Sequence, residues 1–537
     1  MIPEKERNLP MKTKTRLAAA LAALVMIAAL PLSALAANSG GRVVYVNGDL
    51  WYIGENLQNN TVTYDSSDPD ANAPYHAVAG GASLLGETTS VSSNTLLVDH
   101  SLVNAYGGYI SITWDTLFLE REAVQNTLII GSSASVQALA CGGYAHSYTD
   151  IIDSSDASDN VVLINGGKMG DSSRILGGYA EGKDASASQN AVSINGGEIT
   201  APGDIVGGHA KGVHTAGADG NIVSINGGKF QGRTVVYGGR AVTGSNGRAS
   251  ASNNLVVLGP ELKETDLATV TLYGGSAQGG LGASADGNTL QMQAGNLWVH
   301  SIENFDYYSF DCGVLSAARH VLLLVNQASD VKIHPQRLTF SNPDRLPPLK
   351  PGDVVPLIGG HDVYFDLQGS TDAFVLQNLV VRLEAGISSL YLRVIDDLSY
   401  TVKDSAGKET QFLTWEKSSG KSLDMTVHRS LQDHLTYDKF TTLEIDGKTV
   451  GAEHYTTGRG SLKLSLKPAY LETLSVGDHD VKVNFEDGSA AVGLTVAAQA
   501  PKTGDGSDPA LWSGLALLAL AGLAAVALTA KGRRKTR

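Results

Sequence analysis

Apolar and polar residues alternate in short runs that recur at a nearly constant distance through the first half of the chain. Each run begins with an asparagine, and successive asparagines are 34, 32, 34, 30, 31, 33 and 34 residues apart. They are Asn60, Asn94, Asn126, Asn160, Asn190, Asn221, Asn254 and Asn288. Alternation with a period of two is typical of β-strands, and a repeat of roughly 30 residues is typical of stacked repeat architectures.

A glycine pair marks a second strand in each repeat, as in Ile175-Leu-Gly-Gly-Tyr-Ala180 and Ile205-Val-Gly-Gly-His-Ala210. Such a unit cannot bury a core alone, but copies stacked about 4.8 Å apart would pair their backbones and bury Val, Ile and Leu. We therefore predict an all-β chain in which residues 37–299 form a parallel β-solenoid, or β-helix. The asparagines would form a side-chain ladder or occupy turns, and the glycines would relieve crowding at corners.

The pattern changes twice after the repeats. An aromatic-rich segment follows Asn288, and we assign residues 300–397 to a β-rich cap because a solenoid must block its last open edge. Residues 398–497 alternate between short strands and tight turns such as Asp446-Gly447 and Asp487-Gly488. This pattern favours a β-sandwich.

The N-terminal end has the order of an export signal. Residues 1–36 contain basic residues, an apolar run from Leu17 to Leu30, and the small residues Ala34 and Ala36 before Ala37. We predict removal of a signal peptide after Ala36. The alternative, an uncleaved anchor, is weaker because the apolar run is short for a bilayer.

The C-terminal end, residues 498–537, combines a short motif, an apolar stretch and a basic tail. The motif consists of Ala500, Pro501, Lys502, Thr503 and Gly504. Residues 510–530 are long and apolar enough to form a transmembrane helix in the precursor, and the cations after them would stay on the cytoplasmic side. This order resembles the Leu-Pro-x-Thr-Gly sorting signal of Gram-positive cell-surface proteins, although Ala500 stands where the family usually has Leu. The resemblance implies that sortase cleaves after Thr503 and attaches the secreted chain covalently to peptidoglycan, so that only the precursor tail meets the membrane.

Two further resemblances concern the body of the chain. The glycine-pair repeats are similar to regions of bacterial autotransporter passengers and of large Firmicute surface proteins, which implies adhesion or surface display. Residues 398–497 are similar to Ig-like modules of Clostridia-type wall proteins, through Leu443-Glu-Ile-Asp-Gly-Lys448 and Phe485-Glu-Asp-Gly488 among other segments. That resemblance implies a stalk.

The residue after each glycine pair defines a candidate ligand-stacking column. Its main members are Tyr109, Tyr144, Tyr179, His209 and Arg240. If this column points outward, its rings form a surface on which sugars can stack. The alternative is that the rings stack on each other between turns and only stabilise the solenoid.

The net charge, the motif content and the cysteine positions limit the classes of function that the sequence predicts. The net charge is −14, and it becomes −20 when residues 1–36 and 504–537 are left out, because they hold ten Lys/Arg and four Asp/Glu. Such an acidic body repels nucleic acid, so we expect no nucleic-acid partner. No zinc-ligand spacing, phosphate loop or serine-nucleophile motif is present, and we expect no metal and no cofactor. Cys141 and Cys312 lie at least four repeats apart, too far for a disulfide, so we predict two free thiols.

These observations favour a non-enzymatic, wall-anchored adhesin whose partners are glycans or host extracellular proteins. Parallel β-helices also host polysaccharide lyases and hydrolases, and such an enzyme would need carboxylates gathered in one groove. A passive coat or scaffold protein is the third hypothesis.

Overall fold

The computed structural model describes residues 41–46, 49–65, 75, 77–84, 89–112, 120–147, 153–170, 173–200, 203–317, 321–327, 330–333, 337–360, 364–367 and 372–499. The chain is mostly β, with 60% of it in strands, which confirms the predicted class. It divides into two compact units, one ending at Leu398 and one beginning at Ser399.

Three predicted features lie outside the described residues: the signal peptide over 1–36, the motif from Ala500 to Gly504, and the transmembrane stretch 510–530. Within the described ranges, every helix is too short or too polar to cross a bilayer.

The first unit contains a β-solenoid of about eight turns, as the repeats predict. One of its sheets, here called the asparagine sheet, holds ten parallel strands, most of them four residues long. The strands are Thr61–Tyr64, Thr95–Val98, Thr127–Ile130, Val161–Ile164, Ala191–Ile194, Ile222–Ile225, Leu255–Leu258, Thr289–Met292, Tyr307–Asp311 and Leu338–Ser341.

The second sheet, here called the long-strand sheet, carries the glycine pairs. Its main strands are Asp49–Gly54, Ala77–Ser83, Ser101–Ile112, Ser135–Ser147, Arg174–Ser186, Asp204–Gly217, Thr234–Thr243, Val270–Gln278 and Ser301–Glu303. Shorter strands extend the same sheet, namely Ser90–Ser92, Arg121–Val124, Ser155–Asp156, Lys168–Met169, Glu198–Thr200, Lys229–Gln231, Arg248–Ser250 and Gly282–Ser284. All pairings are parallel except that of the first strand, Gly41–Val46, which runs antiparallel to Asp49–Gly54.

Side chains from both sheets meet in one apolar interior. Val192 and Ile194 of the asparagine sheet and Ile175 and Ile205 of the long-strand sheet belong to the same buried cluster. Each such side chain contributes about 1.5–3 kcal/mol when it leaves water. One copy per turn of this pattern therefore builds a continuous core by stacking alone.

The asparagines form an unbroken buried ladder. The backbone N–H and the Nδ2 of Asn160 donate to Oδ1 of Asn190, at 2.9 and 3.1 Å. Asn190 repeats both bonds to Asn221, at 2.9 and 3.2 Å, and the same pair of bonds joins each asparagine from Asn60 to Asn288 to the next. The left-handed turn belongs to the preceding residue, such as Gln189 with a φ of 58°.

The glycine pairs lie directly against this ladder. A Cβ at Gly177 would be 2.8 Å from Cβ of Asn190, and one at Gly178 would be 2.7 Å from its Nδ2. Only glycine leaves room there, because real Cβ atoms do not approach so closely. The two repeated motifs are therefore two halves of one packing arrangement.

Parallel stacking continues past residue 299, since Tyr307–Asp311 and Leu338–Ser341 pair with the asparagine sheet. Leu297–Val299, Leu323–Val325 and Val354–Gly360 also pair in parallel. Antiparallel strands then end the unit: Val354–Gly360, Ser389–Asp397, Leu379–Ala385 and Phe374–Leu376. The remaining elements are the pair Asp330–Ile333 and Tyr364–Leu367 and the 3₁₀ turns Cys312–Val314 and Pro343–Arg345.

The second unit has two sheets around one apolar core. One sheet contains Tyr400–Lys403, Leu423–Arg429, Leu462–Leu466 and Tyr455–Gly458. The other contains Phe412–Glu416, Gly488–Ala497, Gly477–Phe485, Phe440–Ile445 and Lys448–Thr449. The helical segments are Asp433–Leu435, Thr436–Lys439, Ala452–His454 and Pro468–Leu471.

Candidate functional site

The glycine pairs interrupt the alternation of side chains along the long strands and bring two columns of side chains to one outer side, here called the outer groove. Tyr106 and Tyr109 are three residues apart, a spacing that puts side chains on opposite faces of a regular strand. Their ring centroids are nevertheless 4.8 Å apart on the same outer side. The columns before and after the glycines therefore pack in one outer cluster, while Ala180 and its equivalents belong to a separate buried cluster.

The predicted column lies in register on this outer side. Tyr144 pairs with Tyr109 and with Tyr179, Tyr179 pairs with His209, and His209 pairs with Arg240. The centroids of Tyr109 and Tyr144 are 4.9 Å apart with an interplanar angle of 8°. Tyr179 and His209 meet edge to face at 5.3 Å.

The ring faces in this column are occupied by neighbouring rings. Tyr144 has Tyr109 on one face and Tyr179 on the other, and Trp51 lies 4.8 Å from Tyr109. The floor beneath them is apolar and buried, and consists of Tyr106, Cys141, Leu176 and Val206. The half-buried tyrosines thus offer their edges and hydroxyl groups, rather than open ring faces, to a ligand.

Burial raises the pKa values of the Tyr144 and Tyr179 phenols far above their usual range. Tyr179 also donates its hydroxyl to Glu181, which raises its pKa further. Both groups therefore remain protonated at every physiological pH and act as hydrogen-bond donors.

Downstream of the tyrosines, the groove becomes polar around His209. Nη2 of Arg174 lies 2.8 Å from Nδ1 of His209. Burial, together with Arg174, Arg240 and Lys211, lowers the pKa of His209 to about 3, so the imidazole is neutral. Since a guanidinium can only donate, Nδ1 accepts and the ring proton is on Nε2.

The charges near His209 are mostly paired. Nη1 of Arg240 lies 3.1 Å from Oδ2 of Asp204, and its guanidinium lies 5.3 Å from the ring centroid of Tyr237. Lys211 forms an ion pair with Glu181. Arg174 differs, because its hydrogen bond goes to a neutral ring and no carboxylate of the described residues pairs with it.

Sequence reasoning overlooked the residues that precede the glycines. Tyr237 and Tyr273 stack there with centroids 4.9 Å apart, half-buried on the same outer side. The signal was present, since this position reads Tyr106, Cys141, Leu176, Val206, Tyr237 and Tyr273 in successive repeats. It went unnoticed because a regular strand would have turned this column away from the one after the glycines.

A separate acidic cleft of about 250 Å³ opens beside the second half of the long strands. It is lined by Glu120, Glu122, Ser154, Ser155, Asp156, Asp184, Ala185, Ser186 and Thr215. Asp156 is in register with Glu122 of the preceding turn, and Thr215 donates to Asp184 at 2.7 Å. These carboxylates come from different turns, so their grouping depends on the register.

Neither metal-binding clusters nor disulfides occur in the described part of the chain. No three His, Cys, Asp or Glu side chains in it are arranged to hold a metal ion. Cys141 and Cys312 are both buried free thiols, as predicted from their separation. Burial raises the pKa of Cys312 to about 11 and that of Cys141 further, so neither is a reactive thiolate.

No protein-family model, curated protein or solved structure matches this chain. The solenoid, its outer groove and the acidic cleft are the features of this chain that bear on its function.

Proposed function

We propose that this protein is an exported, wall-anchored adhesin whose solenoid binds glycans along the outer groove of the long-strand sheet. The observation that carries the proposal is the in-register line of half-buried phenols, a buried imidazole and a half-buried guanidinium from Tyr109 to Arg240. Tyrosine combines an apolar ring with a polar tip, and a groove with a few fixed polar groups suits an amphipathic ligand such as a saccharide.

Rigidity supports the same proposal. Each groove residue lies on a strand hydrogen-bonded on both sides, and its neighbours recur one turn away. A surface that is ordered before the ligand arrives loses little conformational entropy on binding. A long, regular groove also repeats similar contacts, which suits a polymer better than a small molecule.

Glycan binding is tested by passing the full chain, in mild detergent, over immobilised mucins and plant and bacterial polysaccharides. Both retained protein and newly formed reducing or unsaturated sugar ends are measured. Retention without new ends is expected. Retention only on host extracellular proteins would replace the glycan by a protein receptor, and no retention at all would favour a passive coat.

Covalent anchoring at Thr503 is the second part of the proposal. It is supported by the order of motif, apolar stretch and basic tail, and residues 398–497, which precede the motif in the chain, would serve as an Ig-like stalk. In a Gram-positive host with sortase, muramidase should release the chain and hot detergent should not. Thr503→Ala should move the chain to the detergent-soluble fraction, and detergent release of the unchanged chain would contradict covalent attachment.

The acidic cleft favours a second candidate, a polysaccharide hydrolase. Glycoside hydrolysis uses two carboxyl groups, one as acid and one as base or nucleophile, and Glu122 and Asp156 lie in register on adjacent turns. New reducing ends that disappear in Glu122→Gln and Asp156→Asn would support this candidate. New ends that persist in both variants would exclude the cleft as their source.

A further inference from the structure

The cations of the groove are gathered near His209, although the chain as a whole carries a net charge of −14. Arg174, Lys211 and Arg240 each lower the pKa of this imidazole, and the nearby carboxylates are Glu181 and Asp204. Lys211 and Arg240 are each held by one of those carboxylates. The remaining positive charge in this part of the groove belongs to Arg174.

Arg174 is half-buried and uses only one of its donors in the described contacts, on Nδ1 of His209. A guanidinium has five N–H donors in a planar fork that matches a carboxylate in a bidentate arrangement. The hydrogen bond to His209 orients the Arg174 guanidinium, because Nδ1 has a single lone pair and belongs to a buried ring. The other N–H groups of Arg174 are left for a ligand.

His209 supplies a second donor next to this fork. Because Nδ1 accepts from Arg174, Nε2 carries the proton, and it has no hydrogen-bond partner among the described residues. Two adjacent donors suit an anion better than a neutral hydroxyl, whose own proton also needs an acceptor. Tyr179 lies against His209 on one side, and Tyr237 lies beneath Arg240 on the other.

We propose that this part of the groove selects saccharides that carry a carboxylate, with Arg174 binding the carboxylate as a fork and His209 donating from Nε2. The proposal rests on the glycan-binding function above and names its ligand class: uronic or other acidic sugars. The flanking tyrosines contact the edge of the sugar ring. Because Glu181 and Asp204 are already paired with Lys211 and Arg240, they do not compete with the ligand for Arg174.

The test compares the full chain, in mild detergent, on immobilised polygalacturonate and on its methyl ester, which share a backbone and differ in charge. Binding is expected on polygalacturonate and should be weaker on the ester. Arg174→Gln should weaken binding to polygalacturonate roughly ten- to hundredfold and leave the ester unaffected. Arg174→Lys should be intermediate, because an ammonium keeps the charge but lacks the fork.

Arg248→Gln is the matched control, since Arg248 is exposed on another strand of the same solenoid and its loss should change neither affinity. His209→Phe keeps a ring against Tyr179 but lacks Nε2–H, and should weaken polygalacturonate binding roughly two- to tenfold. It serves as the second variant if Arg174→Gln unfolds, which is checked by its unfolding midpoint.

Equal binding of polygalacturonate and its ester, or unchanged selectivity in folded Arg174→Gln, would overturn this inference while leaving glycan binding intact. Equal binding of poly-glutamate would show that a carboxylate suffices without a sugar, and would overturn the saccharide part. No retention on any polysaccharide would instead overturn the proposed function itself.

Discussion

The rings of Tyr144 and Tyr179 stack with centroids 4.9 Å apart and planes 16° from parallel, one solenoid turn apart. The stack closes the apolar floor of the groove and at the same time lines its surface with hydroxyl groups. The ring and the hydroxyl therefore have separate roles, which substitutions can separate.

Removing the ring of Tyr144 should destabilise the solenoid. Tyr144→Ala loses two stacked neighbours and uncovers Cys141 and Leu176, for an expected loss of about 2–4 kcal/mol in the free energy of unfolding. Tyr144→Phe keeps the stack and should cost less than about 1 kcal/mol. Urea denaturation measures both, with Tyr45→Ala as a control because Tyr45 is 72% exposed. Equal stability of the Ala and Phe variants would contradict a structural role for the ring.

Substitution in the buried asparagine ladder should cost more free energy of unfolding than substitution in the half-exposed row of Asn165, Asn195 and Asn226. Asn190→Ala leaves the buried backbone N–H of Asn160 without its acceptor, whereas Nδ2 of Asn160 keeps the carbonyl oxygens of Ala123 and Ser158 as acceptors. We expect a loss of about 1–3 kcal/mol in the free energy of unfolding. Asn195→Ala in the same turn removes bonds to Asn165 and Asn226 at the half-exposed outer side, where water replaces them. Its cost should be below about 1 kcal/mol. A reversed order of the two denaturation midpoints would show that the ladder is not the main polar support of the core.

The glycine pair should be intolerant of a single added methyl group. In Gly178→Ala the new Cβ would lie 2.0 Å from the carbonyl oxygen of Ala157, so the turn must shift, at about 3 kcal/mol or more. Gly244 has no atom within 4 Å of its Cβ position, and Gly244→Ala should be neutral or stabilising by at most about 1 kcal/mol. Thermal unfolding of the two variants compares them directly, and a stable Gly178→Ala protein would contradict the close packing against Asn190.

Much of the solenoid follows from local sequence. The asparagine spacing is sufficient to predict one ladder, and the glycine pairs are sufficient to predict close packing, because each motif recurs at the same step. The placement of Tyr106 beside Tyr109 was not predictable in the same way, since it depends on a change of strand phase at two glycines. Glu122 and Asp156 come together through the register between turns. The short strands that carry them contain no repeated motif from which this register could be predicted.

The second unit should lose stability in acid through Asp433. Although burial alone would raise it, hydrogen bonds from Ser461, the Arg429 backbone N–H, His428 and Thr436 lower the pKa of Asp433 to about 2. A lowered folded-state pKa stabilises the fold above the ordinary value of 3.8, and this contribution disappears as the pH falls toward 2.

The measurement is the urea midpoint of the second unit between pH 5 and pH 2. Asp433→Asn should be less stable at pH 5 and should show a flatter decline than the unchanged chain. The difference in stability between Asp433→Asn and the unchanged chain should be modest, because the Asp433 side chain is 38% exposed and solvent screens its charge. An unchanged slope in Asp433→Asn would assign the acid sensitivity to other carboxylates.

Hydrogen exchange of the full chain with and without a retained polysaccharide tests most directly whether the groove is the binding surface. Bound ligand should slow exchange in Arg174–Ser186, Asp204–Gly217 and Thr234–Thr243, the strands that carry Tyr179, His209 and Arg240. Exchange in the strands of the second unit should not change. Protection confined to Arg121–Val124 and Ser155–Asp156 at the acidic cleft, or no protection in the long strands, would contradict binding in the groove.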